Sequence, residues 1–346
     1  MYNHSKTAIV ILNWNGKKFL EEFLPGVVAN SRGVAKVIVA DNASTDDSVQ
    51  FLSSLKNDVE LIQLDKNYGF TGGYNRALKQ VNAEYYILLN SDVEVTPNWI
   101  EPVISFLDNN RDVAACQPKV RSYIDKHLLE HAGAAGGYID WMGYPFCRGR
   151  LFTQLEEDNG QYDDIRDVFW ATGACMFIRA EIFHNENGFD EDFFAHMEEI
   201  DLCWRIQSAG YRLCVIPESK VFHVGGGTLP KSSARKTFYN FRNNLMMLHK
   251  NLPANKLWFV LLTRLVLDGV AGLKFLFEGG FSDLIAVMKA HNCFFRKLPR
   301  RIKVRREQQK RVVNSKPKGF YSKSVLFDYF IKRKIKFSDL DKNSIS

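Results

Sequence analysis

Lys36-Val37-Ile38-Val39-Ala40-Asp41-Asn42-Ala43-Ser44-Thr45-Asp46-Asp47-Ser48 decides the fold. Four apolar residues, three of them β-branched, run unbroken into Asp41. A short continuous apolar run bounded by turn formers reads as a strand buried on both faces. The polar residues after it read as a helix start, with Ser44 or Thr45 as N-cap and Asp46 and Asp47 near the positive end of the helix dipole. The same grammar recurs on either side. Thr7 to Trp14 is an apolar strand, followed by a helix over Gly16 to Asn30. Val59 to Leu64 is a third strand, and Asn67-Tyr68-Gly69-Phe70-Thr71-Gly72-Gly73-Tyr74-Asn75 is a turn into another helix. Tyr85 to Leu89 is a fourth strand, ending at Asn90-Ser91-Asp92. Alternating strands and helices predict an α/β fold with a mostly parallel central sheet covered on both faces. Ligands in such sheets bind beyond the carboxyl ends of the strands. Asn13, Asp41, Asn67 and Asp92 fall there.

From Asp112 the pattern changes. Val113 to Cys116 reads as a strand, and a Gly/Tyr-rich stretch of weak periodicity runs to Gly160. Phe169 to Arg179 reads as a buried strand, the acidic run that follows as a helix, and Tyr211 to Ile216 as another strand. Beyond about Ser232 the chain reads as helical. Leu257 to Phe277 is strongly apolar but carries Arg264, Asp268 and Lys274, and Arg264 and Asp268 have the spacing of an i,i+4 pair. The expected division is 1–250 as a catalytic domain and 251–346 as a helical, basic C-terminal region.

Composition narrows the class. Hydrophobic residues make up 46% and charged residues 25%, which describes a globular chain. The formal charge of +7 is uneven. Eleven Lys/Arg and one acid, Glu307, lie between Arg296 and Lys318, so the remainder is slightly acidic and offers no general polyanion surface. No nucleic-acid partner is expected. Six cysteines without CxxC spacing read as buried thiols of a reducing compartment, with neither zinc nor disulfides. The N-terminus runs straight into a strand, so no signal peptide is expected. No run of about 20 uninterrupted apolar residues predicts a spanning helix.

The chemistry concentrates in His196-Met197-Glu198-Glu199-Ile200-Asp201-Leu202-Cys203-Trp204-Arg205 and in His223. Three carboxylates in four positions ahead of Leu-Cys-Trp are expensive to bury unpaired. They need a cation, a proton to take, or water; the plain alternative is a solvated helix face. Asp201 and Arg205 have i,i+4 spacing. Glu198 and Glu199 point about 100° apart on a helix, so the two serve one site unequally.

Taken in order, Val10-Ile11-Leu12-Asn13-Trp14-Asn15, Asp41-to-Asp46, Asn67-to-Asn75, Leu88-Leu89-Asn90-Ser91-Asp92, Gly188-Phe189-Asp190-Glu191-Asp192-Phe193-Phe194 and the Glu198-to-Arg205 run resemble family 2 glycosyltransferases. The subgroup most resembled is the rhamnosyltransferase-like and galactofuranosyltransferase-like enzymes, over about residues 5 to 250. The resemblance implies a GT-A fold, a nucleotide-sugar donor (UDP- or dTDP-linked, dTDP-rhamnose included), a divalent metal and inversion at the anomeric carbon. It places Asn13, Asp41, Asn67, Gly72, Asn75, Ser91 and Asp92 on the donor, with Asp41 accepting the imide N–H of uracil or thymine. Asp92 matches the last acid of the family's DxD metal motif, whose first acid is Asn90 here. His223 matches a metal-binding His of part of the family, and an imidazole ligand favours Mn2+ over Mg2+. Glu199 matches the general base, one methylene longer than the family's Asp, with Glu198 beside it. Trp170 and Gly173 fall on the acceptor side, where Trp170 reads equally as core. The expected reaction builds a cell-surface polysaccharide or lipid-linked glycan. The apolar helices and basic segment fit peripheral contact with an anionic membrane at its cytoplasmic face; the alternatives are a homo-oligomer interface or, for the basic run, RNA binding, with the membrane reading favoured. Two rivals are a sugar-nucleotide nucleotidyltransferase, whose Gly-rich pyrophosphate loop Asn13-Trp14-Asn15-Gly16 does not supply, and a non-catalytic nucleotide-sugar-binding protein.

Overall fold

The computed structural model describes residues 5–225 and 233–346. The chain runs β1 (Ser5–Asn13), α1 (Lys17–Ala29), β2 (Lys36–Asp41), α2 (Ser48–Ser54), β3 (Glu60–Gln63), α3 (Gly69–Leu78), β4 (Ala83–Leu89), β5 (Val93–Val95), α4 (Glu101–Asn109) and β6 (Val113–Ser122). Then come β7 (Gly137–Asp140), β8 (Pro145–Cys147), β9 (Arg150–Leu151), β10 (Gln154–Leu155), β11 (Arg166–Asp167), β12 (Cys175–Arg179), α5 (Ala180–Asn185), α6 (Glu198–Ser208) and β13 (Arg212–His223). Three long helices follow, α7 (Ala234–Asn251), α8 (Ala254–Phe277) and α9 (Phe281–Lys310), and then β14 (Phe320–Tyr321).

The main sheet has the order β11-β13-β6-β12-β4-β1-β2-β3, with β5 pairing β13. It is parallel from β3 through β2 and β1 to β4. Beyond β4 it is mixed, because β12 runs antiparallel to both β4 and β6. The expectation of a mostly parallel sheet therefore holds for the first half only. Alternation along β1 divides the core: Ile9 and Ile11 pack under α1, α2 and α4, while Ala8 and Val10 face α3 and the helices that follow β12. The weakly periodic stretch after Ser122 forms a second sheet, β10-β9-β8-β7-β14. Its strands of two to four residues are too short to show a period.

Three boundaries differ from expectation. The strand expected over 169–179 begins only at Cys175. The helix expected from Ser44 or Thr45 begins at Ser48, since Asp41, Ser44, Asn15 and Thr45 hold one another in a polar turn. The 250/251 division falls at the end of α7, within a helical region that begins at Ala234, and packing across it is continuous. Leu257, Val260, Phe294, Tyr321 and Phe337 share one core with the first sheet, and β14 pairs with β7.

The basic segment is only partly free. Arg301 is fully buried against Asp190 and Asp192, Arg305 donates to the His249 carbonyl, and Arg311 meets Glu186. Among the described residues no helix is long and apolar enough to cross a membrane.

Candidate active site

The carboxyl ends of β1, β2 and β4 meet in one polar patch. Asn13 Nδ2 donates to Asp41 Oδ1 at 3.0 Å and to Ser44 Oγ at 3.2 Å. Asp41 also accepts from the Ser44 amide at 2.9 Å and from the Ser44 hydroxyl at 2.6 Å. Asp41 is buried and holds the turn, with two donors on Oδ1 and one on Oδ2, so Oδ2 keeps acceptor capacity. Gly16 closes the patch. A Cβ there would sit 2.5 Å from Asn13 Oδ1 and 3.6 Å from Ser91 Oγ, so Asn13 and Ser91 flank one tight backbone approach. Trp14, singled out only within its motif, is 47% exposed directly after β1 and offers an aromatic face.

The other expected donor residues also make contacts within the protein. Asn67 accepts from Asn42 Nδ2 at 3.1 Å and from the Gly69 amide at 2.8 Å. Asn75 holds the Phe189 backbone through its N–H and its carbonyl, at 2.9 and 2.8 Å. A Cβ on Gly72 would crowd Tyr68 and Arg76, so α3 packs closely at that glycine.

At the end of β4 the chain turns so that Asp92 meets His223, the last residue of β13. The register His223↔Val93 sets this contact, with His223 Nε2 3.2 Å from Asp92 Oδ1. On its other side His223 Nδ1 lies 3.2 Å from Glu130 Oε2. Glu130 was not expected. It stands 93 residues before His223, and bonds between its segment and β6, among them that from its amide to the Val120 carbonyl, bring it alongside. Burial alone would lower the imidazole's pKa, but the two carboxylates push it up to about 10. The Gly225 backbone passes where a Cβ would strike Glu130 Oε1; Gly226 and Gly227 lie outside the described residues.

The acidic run opens α6. Three residues ahead of it, Phe194, His196 and Met197, have φ of 68°, 70° and 69°, left-handed conformations that cost non-glycine residues about 1–3 kcal/mol each. Three things over-determine this loop. The Phe70 and Thr71 amides donate to the Phe194 carbonyl. Arg242 Nη2 donates to the carbonyls of Asp192 and Phe193. Asn243 Nδ2 reaches the carbonyls of Phe193, Ala195 and His196 at 3.0, 2.8 and 2.7 Å. Asn243→Ala should therefore lower kcat and leave donor affinity near the parent value, with about 1–3 kcal/mol of stability lost through the stranded carbonyls. Steady-state kinetics beside urea unfolding checks this; lost stability with unchanged kcat would limit Asn243 to a structural role.

The strained loop delivers Glu199 beside Gly173, whose Cβ position lies 3.8 Å from Glu199 Cβ. The backbone continues from there to Ala174, whose carbonyl accepts from the Asn90 amide, two residues before Asp92. Glu199 Oε2 and Glu198 Oε2 are both out of solvent and without a hydrogen-bond partner. Burial pushes Glu199 up to about 7, against bonds from its own amide and that of Ile200 at the helix start. Glu198 is pushed well above its usual range by burial first, then by the Glu199 charge and by Asp201. The pair titrates as a unit. Both carboxyls are raised, so the pair keeps a proton at pH values where free carboxylates have lost theirs. Asp201 belongs elsewhere: it accepts from Arg205 Nε at 3.0 Å.

Trp170 is core. Its indole is buried, donates to the Tyr138 carbonyl at 2.9 Å and lies flat against Gly137, so it has no face free for a sugar. Gly173 stands at the site; Trp170 does not.

Among the described residues no three His, Cys, Asp or Glu side chains converge with the arrangement of a complete metal site. Asp92 and His223 nevertheless fit two ligands of an open one, provided the ion displaces the proton that His223 shares with Asp92. Their donor atoms lie 3.2 Å apart, about the separation of neighbouring ligands on an octahedral ion. Glu130 on the far ring nitrogen is the outer carboxylate that orients a ligating histidine.

Comparison with known proteins bears on the fold and the family. The N-acetylglucosaminyl-diphospho-decaprenol L-rhamnosyltransferase of Mycobacterium tuberculosis is 25% identical over 230 residues, covering 62% of this chain and 75% of that protein. Among solved structures, S. aureus TarS 1-349 in complex with UDP-GlcNAc matches with a TM-score of 0.57 at 14% identity, over 88% of each chain. GalNAc-T7 with UDP, GalNAc and Mn2+ matches with a TM-score of 0.55 at 15% identity, over 72% of this chain and 48% of that one. These likenesses show the GT-A fold. The profile of glycosyl transferase family 2 matches residues 8–185, just over half of the chain, and the chain belongs to that family.

Proposed function

We propose that this glycosyltransferase moves a sugar, with inversion, from a nucleotide-diphosphate donor to a hydroxyl of a lipid-linked or polysaccharide acceptor at the cytoplasmic face of a membrane. The observation that carries the reading is Glu199: a half-buried carboxyl with one oxygen out of solvent and without a partner, raised to about 7, and delivered beside Gly173 by a strained loop.

Inversion in one displacement requires a base on the acceptor side. Glu199 takes the acceptor hydroxyl's proton as that oxygen bonds the anomeric carbon, while the bond from that carbon to the diphosphate oxygen breaks. In this reading the proton that the pair keeps sits on Glu198, which adds no second negative charge beside the forming bond. Asn13, Gly16 and Ser91 shape the donor side, and Trp14 offers a stacking face for the nucleobase. Asp92 and His223 are the residues that would hold a divalent metal, Mn2+ in preference to Mg2+ because one donor is an imidazole. A metal there supplies Lewis-acid stabilisation of charge on the departing diphosphate. The L-rhamnosyltransferase relative supports a deoxyhexose donor and a lipid-diphosphate acceptor, with dTDP-rhamnose the first donor to try.

The test screens UDP- and dTDP-sugars with Mn2+ by thermal shift, since a ligand bound only by the folded state raises the melting temperature. Transfer to a lipid-diphosphate sugar is then assayed with the donor that binds. A donor that binds without any transfer would return the chain to the non-catalytic reading. Glu130→Gln should weaken Mn2+ binding about 10–100-fold by loosening His223, and His223→Ala should weaken it further. Calorimetric titration with nucleotide present checks both, and unchanged affinity in His223→Ala removes it as a ligand.

A further inference from the structure

Helix α8 is built inside out. Between Leu257 and Leu273 its only charges, Arg264 and Asp268, are buried and paired at 3.1 Å, with His291 3.2 Å from Asp268 on the inner side. The outer side carries Trp258, Phe259, Leu262, Val266, Val270 and Leu273, all more than half exposed. A helix on the surface of a water-soluble protein has the opposite arrangement. Lys256 and Lys274 bracket the stripe, both exposed.

The hairpin partner α9 repeats the theme with a charged edge. Phe281, Met288, Phe295 and Ile302 are exposed and spaced by seven, so they lie along one side of the helix. Lys289, Arg296, Lys303 and Lys310 follow in a second exposed row of the same spacing. The only exposed acids on the two helices are Glu278 and Glu307, each already beside a lysine, at 3.3 and 2.8 Å.

We infer that the outer face of the α8–α9 hairpin docks the enzyme in the interface of an anionic lipid bilayer, with the α8 stripe among the acyl chains and the α9 basic row on the headgroups. The inference deepens the membrane-facing part of the proposed function and rests on it. Charge chooses lipid over a second copy of the chain. A two-fold dimer through this face brings the same patch of both copies together and sets the lysine and arginine rows against each other with no acidic row to meet them. A sheet of anionic headgroups meets them directly, and a basic amphipathic helix with aromatic and aliphatic side chains opposite is the form such contacts take. The buried Arg301 and the half-buried Arg305 take no part; they hold α9 to the catalytic domain.

The test is flotation of the full chain with phosphatidylglycerol/phosphatidylcholine vesicles and with phosphatidylcholine alone. The parent should float with the anionic vesicles, less at high salt, and weakly with the neutral ones. Leu262→Asp combined with Val266→Asp should abolish flotation. Lys289→Gln, Arg296→Gln and Lys303→Gln together should weaken anionic binding roughly a hundredfold, at about one kilocalorie per charge. Both variants replace exposed side chains only, and an unchanged nucleotide-sugar thermal shift shows that they fold. The inference is overturned if the folded parent does not float, if the aspartate variant floats like the parent, or if light scattering shows a dimer that this variant splits. Transfer to a soluble acceptor, measured without vesicles, reports on the enzymatic reading separately: its failure with flotation intact removes the reaction and leaves the surface.

Discussion

Glu199→Gln should lower kcat by about 10²–10⁴-fold, the range in which a positioned general base acts, and leave donor binding close to the parent. The same change should make the protein more stable above neutral pH. Both results follow from one cause. The folded protein holds the Glu199 carboxyl at about 7 against an ordinary 4.5, because burial penalises its charge. The folded state therefore binds more protons than the unfolded state between those values, and stability falls as pH rises through that window. Above about pH 7 the buried charge costs up to about 3 kcal/mol. Glutamine carries no charge to bury, so its gain should be full at pH 8 and absent near pH 4. Activity has the opposite sign: the parent's kcat/KM should climb with pH up to about 7 as the base loses its proton. Melting curves of parent and variant at the two pH values, beside a pH–rate profile, test both. Full turnover by the variant would move the base elsewhere. Lost activity with no pH-dependent stabilisation would mean that Glu199 is not held as a buried acid.

How far this site could be read from the sequence depends on what placed each residue. Asp92 and His223 were legible because strand ends announce themselves: an apolar run stops, and the next polar side chain stands at the sheet's carboxyl edge. Their contact then follows from one register, His223↔Val93. Glu199 was legible from the cost of burying three acids together. Glu130 and Asn243 were not. Glu130 reaches His223 only through the path of the chain after β6, and Asn243 reaches the 193–196 carbonyls from a separate helix. Neither carries a local signal, because its partners are backbone atoms and one ring nitrogen far along the chain. Asp41, Asn67 and Asn75 have residue types that suit a ligand, and each also makes hydrogen bonds within the protein that the sequence did not announce. Trp170 was undecided between core and site because an indole serves either; its buried N–H bond to Tyr138 decides for core. Helix α8 showed its apolar character in sequence but not its inversion, which depends on Arg264 and Asp268 finding each other and His291 beneath it.

Asp201→Ala should be among the most destabilising single changes in the chain, at about 3–5 kcal/mol, because it removes one partner from a buried ionic group. Asp201 is fully buried two residues beyond Glu199, and its oxygens accept from Arg205 Nε at 3.0 Å, Lys250 Nζ at 2.6 Å and Asn251 Nδ2 at 2.9 Å. Lys250 continues to Asp190 at 2.7 Å, and Asp190 to Arg301 of α9 at 2.8 Å. The network thus ties the first turn of α6, which carries the proposed base, to α7 and α9. This gives the helices after residue 250 a part in holding the catalytic run, apart from any contact they make with lipid. Removing Asp201 leaves Lys250 with one carboxylate in place of two, in surroundings where burial already pulls its pKa down. Pairing the change with Lys250→Met should recover part of the loss, since the stranded cation goes with it. Acid should act on the same network. Burial alone would raise the Asp190 carboxyl, yet Lys250 and Arg301 hold it well below the usual carboxylate range, so its stabilisation is present above about pH 4 and is lost as pH falls further. Urea midpoints for the parent, Asp201→Ala and the double variant at pH 7.5 decide the matter. A loss below about 1 kcal/mol, or no recovery in the double variant, would show that the hydrophobic contacts among α6, α7 and α9 hold these helices without the buried charges.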